Sequence, residues 1–288
     1  MYIKDLLSKK RPTVSLELFP PKKGDTLEKS YEVISKSVAL KPDFISVTYG
    51  AGGSNNKNTL EMADYIIKEG AVPLVHLTCV GVDEEMIISE LIQQKNIGVK
   101  NILALRGDLK DGIPIPEDAK FRFASDLVEE IMDFGGFCVG GACYAEGHVE
   151  SANLDEDIEN LKKKVDAGCS FLTTQMFFDN SVLYKFLYKI REAGITIPVL
   201  AGIMPVTNGK QIRRILELSG ASLPPRFKNI VDKFGHDRNA MEQAGVAYAT
   251  EQIIDLIANG VNGVHIYTMN KPDIAEGILN NISHIIEV

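Results

Sequence analysis

The chain has 288 residues, a formal net charge of −8, 45% hydrophobic and 24% charged residues. That is a globular composition, long enough to bury a core without disulfides or a structural metal. Its acidity argues against nucleic acid as the main partner, which a basic face would serve. No apolar run approaches the ~20 residues of a membrane span, and the start Met1-Tyr2-Ile3-Lys4-Asp5 has no signal-peptide pattern. The expected setting is the cytoplasm. The four cysteines, Cys79, Cys138, Cys143 and Cys169, form no C-x-x-C pair, and no His stands at zinc-finger spacing from them. They read as buried thiols in a reducing compartment, with no metal site expected.

The elements alternate along the chain. A β-rich run at 14–19 precedes a helical pattern at 26–39; a run at 44–49 precedes a helix at 58–69. Runs at 72–79 and 102–106 are followed by helices at 83–96 and 121–134. Runs at 137–144 and 171–178 are followed by helices at 154–167 and 181–193. The run at 197–204 leads to helices at 210–218 and 241–259, and a last run at 263–269 leads to a tail helix at 274–286. The runs are short, apolar and bounded by Gly, Pro, Asp or Asn, as buried strands are. Gly70, Gly168, Gly194 and Gly260 stand where helix C-caps belong.

Strict alternation implies a parallel sheet. Eight units in roughly 250 residues predict a closed (β/α)₈ TIM barrel as a single catalytic domain over 1–288. An open doubly wound sheet would show a Gly-rich turn after its first strand, where this chain has Pro20-Pro21-Lys22-Lys23. The long interval between the seventh and eighth runs, including Leu223-Pro224-Pro225-Arg226-Phe227, predicts an extra helical excursion at the top of the barrel.

Sites in such barrels form at the carboxyl ends of the strands, and polar residues gather there. Ser15, Glu17 and Phe19 share one face of the first run. Ser46 and Thr48 follow on the second, His76 and Thr78 on the third, and Arg106-Gly107-Asp108 ends the fourth. Tyr144 ends the fifth, and the sixth holds Thr173 and Gln175. Taken singly, several have ordinary structural explanations: Thr48 and His76 as satisfied core groups, Arg106 and Asp108 as a pair, Tyr144 as a rim aromatic, Gln175 bonded to backbone. Glu17 stands out, because an unpaired acid inside a strand is costly to bury. Desolvation favours the neutral carboxyl, which suits a general acid.

The same set excludes other chemistries. There is no His-x-His pair on the first strand for a metal-dependent hydrolase and no Lys inside a strand for a Schiff base. Asp157, Asn160, Lys163 and Lys164 form a charged helix face which, by itself, reads as solvated.

Several stretches in order resemble the methylenetetrahydrofolate reductase family. They are Ser15-Leu16-Glu17-Leu18-Phe19-Pro20-Pro21-Lys22, Ser46-Val47-Thr48-Tyr49-Gly50-Ala51, His76-Leu77-Thr78-Cys79 and Ala104-Leu105-Arg106-Gly107-Asp108. Ala124-Ser125-Asp126-Leu127, Lys164-Val165-Asp166-Ala167-Gly168 and Thr174-Gln175-Met176-Phe177-Phe178-Asp179 continue the series. Gly202-Ile203-Met204-Pro205-Val206 and His265-Ile266-Tyr267-Thr268-Met269-Asn270 complete it. So many ordered matches across the chain are far more specific than one short motif.

The resemblance implies a barrel holding FAD that reduces 5,10-methylenetetrahydrofolate to 5-methyltetrahydrofolate. Hydride would come from NADH or NADPH through the flavin in a ping-pong sequence. By the same resemblance Glu17 is the general acid that opens the folate ring to an iminium ion. Asp108 is the carboxylate beside flavin and substrate. Thr48, His76, Arg106, Gly107, Asp108, Tyr144, His148, Asp157, Asn160, Lys163 and Lys164 fall at flavin-contact positions. That turns the charged helix face into a cofactor surface. Gln175, Ile215, Tyr267 and Met269 fall with Glu17 at folate or nicotinamide positions.

The chain departs from the family at Ala145-Glu146-Gly147-His148, where Pro-Glu-x-His is common, and at Ile215, where many members have Phe. These departures keep open a barrel subunit that binds FAD but takes electrons from a partner protein. A flavin-free barrel lyase or transferase using Glu17 is the alternative from another class. The resemblance also suggests a homo-oligomer and, with the sequence ending at Val288, the expectation of a catalytic barrel without the regulatory extension of larger relatives.

Overall fold

The apolar runs become strands because each can bury both faces, one against surrounding helices and one inside a closed barrel. The computed structural model describes residues 1–21, 26–49, 56–108, 115–116 and 118–287. Its strands are β1 (Thr13–Leu18), β2 (Phe44–Val47), β3 (Pro73–Thr78), β4 (Asn101–Leu105), β5 (Cys138–Cys143), β6 (Phe171–Thr174), β7 (Val199–Ile203) and β8 (Gly263–Tyr267). Neighbours in sequence are neighbours in the sheet, all parallel, and β8 closes on β1 with Glu17 opposite Tyr267. The predicted TIM barrel is therefore the observed fold.

The helices are α1 (Ile3–Leu7), α2 (Leu27–Ala39), α3 (Asn56–Lys68), α4 (Glu84–Asn96), α5 (Ala124–Phe134) and α6 (Leu154–Asp166). They continue with α7 (Asn180–Glu192), α8 (Ile212–Ser219), α9 (Pro225–Phe234), α10 (Arg238–Ala258) and α11 (Pro272–Ile282). Outward strand residues such as Leu16, Leu172, Ala201 and Ile266 pack with Leu183, Phe186, Ile253 and Ile278 of the helices. Inward residues Phe44, Leu74, Leu103, Phe171 and Leu200 form an apolar floor, sealed by Ile3 and Leu6 of α1. Asn101 ties that helix down: its Oδ1 accepts from Ile3 N at 2.8 Å, and its Nδ2 donates to the carbonyls of Met1 and Pro73, both at 3.2 Å.

The floor is assembled by pairing large with small. A Cβ on Gly140 would lie 2.4 Å from the ring of Phe171, so β5 must be bare where β6 carries its aromatic. Between β7 and β8 the chain makes the predicted excursion, here a 3₁₀ turn (Gly209–Gln211) followed by α8, α9 and α10. Phe227 and Met241 from it pack with Phe178, Met204 and Val206, covering the carboxyl ends of β6 and β7.

Three details differ from the sequence expectation. Helix α1 has five residues, too few to show a helical period. Helix α9 begins on Pro225 at its first turn, inside the stretch expected as a helical excursion but between the helices expected at 210–218 and 241–259, where Pro at a first turn is itself a start signal. Strand β6 ends at Thr174, and Phe177 and Phe178 are buried beyond it in two different clusters. Buried aromatics outside the sheet look like strand to a reading based on apolar runs. Among the described residues no helix is long and apolar enough to cross a membrane.

Candidate active site

Above the apolar floor the barrel interior turns polar. β1 contributes Ser15 and Glu17, β2 Ser46, β3 His76 and β8 His265, and all five are buried. Glu17 is 6% exposed. Its Oε2 lies 3.3 Å from Nε2 of His265, within hydrogen-bond reach, and 3.5 Å from Nε2 of His76. Each imidazole is held by a serine: Ser15 Oγ is 2.8 Å from Nδ1 of His265, and Ser46 Oγ is 2.6 Å from Nε2 of His76. Burial pushes His76 down to about 4; the nearby Glu17 charge opposes that shift, and His265 adds to it. His76 is therefore neutral at pH 7.

The Ser15–His265–Glu17 chain accommodates two proton arrangements. Ser15 Oγ can donate to the Val264 carbonyl at 3.2 Å. His265 then donates from Nδ1 to Ser15, and its bare Nε2 accepts from a protonated Glu17. If Ser15 donates to Nδ1 instead, Nε2–H donates to an ionised Glu17. The acid thus keeps a partner in both protonation states.

At the carboxyl ends of β4 and β5 and the start of α6 is a cavity of about 430 Å³, lined by none of these five side chains. Arg106, Tyr144, His148, Asp157, Asn160, Lys163 and Lys164 line it. Seven of the predicted flavin-contact residues therefore converge. Lys164 is the most constrained. Its stem passes over Gly141, where a Cβ would lie 2.8 Å from Cδ, and its Nζ donates to Ala142 O at 2.6 Å. Burial lowers its pKa. Asp157 is buried with Ser151 Oγ donating to Oδ1 at 3.2 Å, and desolvation raises its pKa. Burial pushes the Tyr144 phenol up to about 12, and its ring meets His148 edge to face at 4.6 Å.

The other predicted contacts lie elsewhere around the mouth. Thr48 follows β2, half-buried, and His76 sits inside the barrel with Glu17. Gly107 turns the chain after β4 with φ 92°; a Cβ there would stand 3.1 Å from Thr78 and from Val80. It presents Asp108 exposed at the rim. Gln175 follows β6, and its Oε1 accepts from Met176 N at 3.0 Å. Ile215 and Tyr267 share the apolar cluster of the excursion. The Tyr267 hydroxyl donates to Thr174 O at 2.6 Å, while Met269 follows β8, 47% exposed. Lys22, Gly50 and Ala51 of the matching stretches lie outside the described residues.

Two participants were not foreseen. His265 is the hydrogen-bond partner of Glu17, and its signal was available: alternation along β8 puts it on the face of Gly263 and Tyr267. Glu150 lines the cavity and grips Arg106 in a bidentate pair, NH1 to Oε2 at 2.6 Å and NH2 to Oε1 at 2.7 Å. Nothing in the spacing of residues 106 and 150 announces that pair.

The model of the methylenetetrahydrofolate reductase family matches residues 2–283. The chain belongs to that family. It is 32% identical over 270 residues to 5,10-methylenetetrahydrofolate reductase of Escherichia coli (strain K12), covering 93% of this chain and 90% of that protein. It is 36% identical over 279 residues to methylenetetrahydrofolate reductase 1 of Schizosaccharomyces pombe, covering 95% of this chain but 46% of that protein. The chain thus spans about half the length of the yeast relative. Among solved structures, a Clostridium thermocellum protein that binds two copies of 5-methyl-5,6,7,8-tetrahydrofolic acid superposes with a TM-score of 0.70. The match covers 99% of this chain and 98% of that one at 15% identity, a likeness of fold.

Proposed function

We propose that this chain is an FAD-dependent methylenetetrahydrofolate reductase acting as one catalytic barrel, with Glu17 as its general acid. One observation carries this: a member of the family buries a carboxyl, Glu17, within reach of two histidines at the mouth of the barrel. A carboxyl so placed can deliver a proton to a substrate nitrogen, and His265 Nε2–H can then donate to the carboxylate that is left.

The residues of the cavity fit FAD. Arg106, Lys163 and Lys164 offer charge to a diphosphate, Tyr144 and His148 offer aromatic faces, and Asp157 and Asn160 can bond ribose or base. The half-buried Lys164 ammonium, with its bond to the Ala142 carbonyl, is suited to a second, anionic partner. Thr48, His76, Gly107 and Asp108 would meet the cofactor from the neighbouring strand ends. When bound, FAD supplies the hydride route from NADH or NADPH to the folate.

The chain's own residues do the rest. Glu17 protonates the folate so that its five-membered ring opens to a cationic iminium. Asp108 puts negative charge at the rim, favouring that cation. Gln175 binds the pterin through its amide, and Ile215, Tyr267 and Met269 form the wall for folate or nicotinamide. Four free, buried cysteines suit a reducing cytoplasm.

The test is anaerobic stopped flow on the purified protein, following the visible flavin band. NADH or NADPH should bleach it and methylenetetrahydrofolate should restore it. A bound flavin bleached by methyltetrahydrofolate but by neither nicotinamide would replace NAD(P)H with a partner-protein donor. A protein that takes up no flavin would overturn the proposal.

A further inference from the structure

The ladder between β1 and β8 reaches Glu17 opposite Tyr267, and there β8 ends. Past Tyr267 the chain enters a tight turn. Lys271 N donates to Thr268 O at 3.0 Å, and Met269 and Asn270 both have left-handed backbones, with φ 53° and 57°. Among the described residues Lys41 is the one other non-glycine with positive φ. Two successive left-handed residues are costly for L-amino acids, less so for Asn, and persist where surrounding contacts dictate them.

Those contacts reach back to the acid. Thr268 Oγ1 donates to the Glu17 carbonyl at 2.6 Å. Asn270 Oδ1 accepts from Phe19 N at 2.8 Å, and its Nδ2 donates to Phe19 O at 2.9 Å. The side-chain amide thus imitates one more strand residue and extends the ladder past the end of β8. No further ladder donor follows on this strand, because Pro20 and Pro21 carry no N–H. The side chains of Thr268 and Asn270 therefore fix the backbone at Glu17 and two residues beyond it.

We propose that Asn270 is a positioning residue for Glu17. It pins the carboxyl end of β1 so that the carboxyl meets its substrate in register, while touching neither substrate nor cofactor. This rests on Glu17 being the acid of the proposed reaction. An acid must be held to within about 0.5 Å to work well, and a misplacement of about 1 Å can cost about 100-fold.

The test uses Asn270→Gly, which tolerates the left-handed backbone but removes the amide, and Asn270→Asp, which keeps the acceptor for Phe19 N and loses the donor. Each is measured in the two half-reactions separately and by hydrogen exchange at the Phe19 amide. In Asn270→Gly, exchange should speed up and flavin reoxidation by folate should slow about 10- to 100-fold. Flavin reduction by the nicotinamide should stay within about twofold, and Asn270→Asp should recover part of the loss. Faster exchange with an unchanged folate step overturns the proposal. So does an equal loss in both half-reactions, which marks a general structural role. Should Asn270→Gly fail to fold, Asn270→Asp decides by the same ratio. A wild-type protein with no folate half-reaction removes the reductase assignment itself, and the proposal falls with it.

Discussion

Nε2 of His265 lies 3.3 Å from Oε2 of Glu17 inside the barrel, both residues buried. The pair is coupled to Ser15 on the far side of the ring, which can accept from Nδ1 or donate to it, so Glu17 keeps a hydrogen-bond partner whether or not it carries a proton. Glu17→Gln keeps the size and the hydrogen-bonding capacity but abolishes the proton. It should slow the folate half-reaction by about 10²- to 10⁴-fold, the usual worth of a general acid, and leave nicotinamide oxidation within a few-fold. Single-turnover kinetics of each half-reaction check this. Equal losses in both would remove Glu17 from the role of acid.

His76 gives the centre a pH signature. Its folded-state pKa is about 4 against an ordinary 6.5, because burial disfavours the imidazolium. Between those values the unfolded chain binds more protons than the folded one, so stability must fall as pH drops through that window and level off below it. The loss amounts to roughly 2 kcal/mol by pH 5 and roughly 3 kcal/mol at its limit. Denaturant unfolding at pH 7 and pH 5 should show that drop in the wild type relative to His76→Gln, which lacks the titrating ring. Parallel pH curves for the two proteins would mean that His76 does not carry it.

The fold was legible because β/α alternation is written in apolar runs and helical periods, and those survive in a single sequence. Glu17 was legible for a related reason: a carboxyl amid Val14, Leu16 and Leu18 contradicts its surroundings. His265 has the same status on β8 but passes as a core histidine unless the barrel is closed in space, which brings β8 beside β1. Glu150 is less visible still. It lies in a loop after β5, and only the folded path of that loop carries its carboxylate to Arg106. The lysines of α6 looked solvated because helix periodicity cannot tell a face toward water from one toward a cavity.

The Arg106–Glu150 pair bears on cofactor affinity. Glu150 occupies both terminal nitrogens of Arg106, and side-chain exposures of 20% for Arg106 and 49% for Glu150 leave the pair within reach of solvent. The hydrogen bond raises the Arg106 pKa and lowers that of Glu150. Glu150, Glu156 and Asp157 balance Arg106, Lys163 and Lys164 around the cavity. Glu150→Gln should therefore leave a net positive cavity that binds FAD several-fold more tightly at low salt, with the gain shrinking as ionic strength rises. Because the pair is part-exposed, protein stability should change by no more than about 1 kcal/mol. Titration of flavin fluorescence against apoprotein measures both the gain and its salt dependence. Unchanged or weaker binding would mean that Glu150 supports Arg106 as a ligand rather than competing for it.

Gly202 tests the packing that shapes the wall beside Glu17. It lies opposite His265 on β7, and its amide donates to Thr174 Oγ1 at 2.8 Å. A Cβ at this position would stand 2.3 Å from Thr174 O and 2.7 Å from Cε2 of Tyr267. The Tyr267 ring lies over the bare glycine, and its hydroxyl donates to that same Thr174 carbonyl. Gly202→Ala cannot be absorbed by a side-chain rotation alone, because the nearest atom is backbone. It should cost about 1–3 kcal/mol or more, as overpacked cores do. Tyr267→Phe removes only the hydroxyl's bond and should cost about 1 kcal/mol. Urea unfolding should therefore rank Gly202→Ala as the more damaging change. The double variant should recover little, because the Thr174 carbonyl remains in the way. Substantial recovery in the double variant would mean that the ring, and not the β6 backbone, is what demands glycine at this point of the wall.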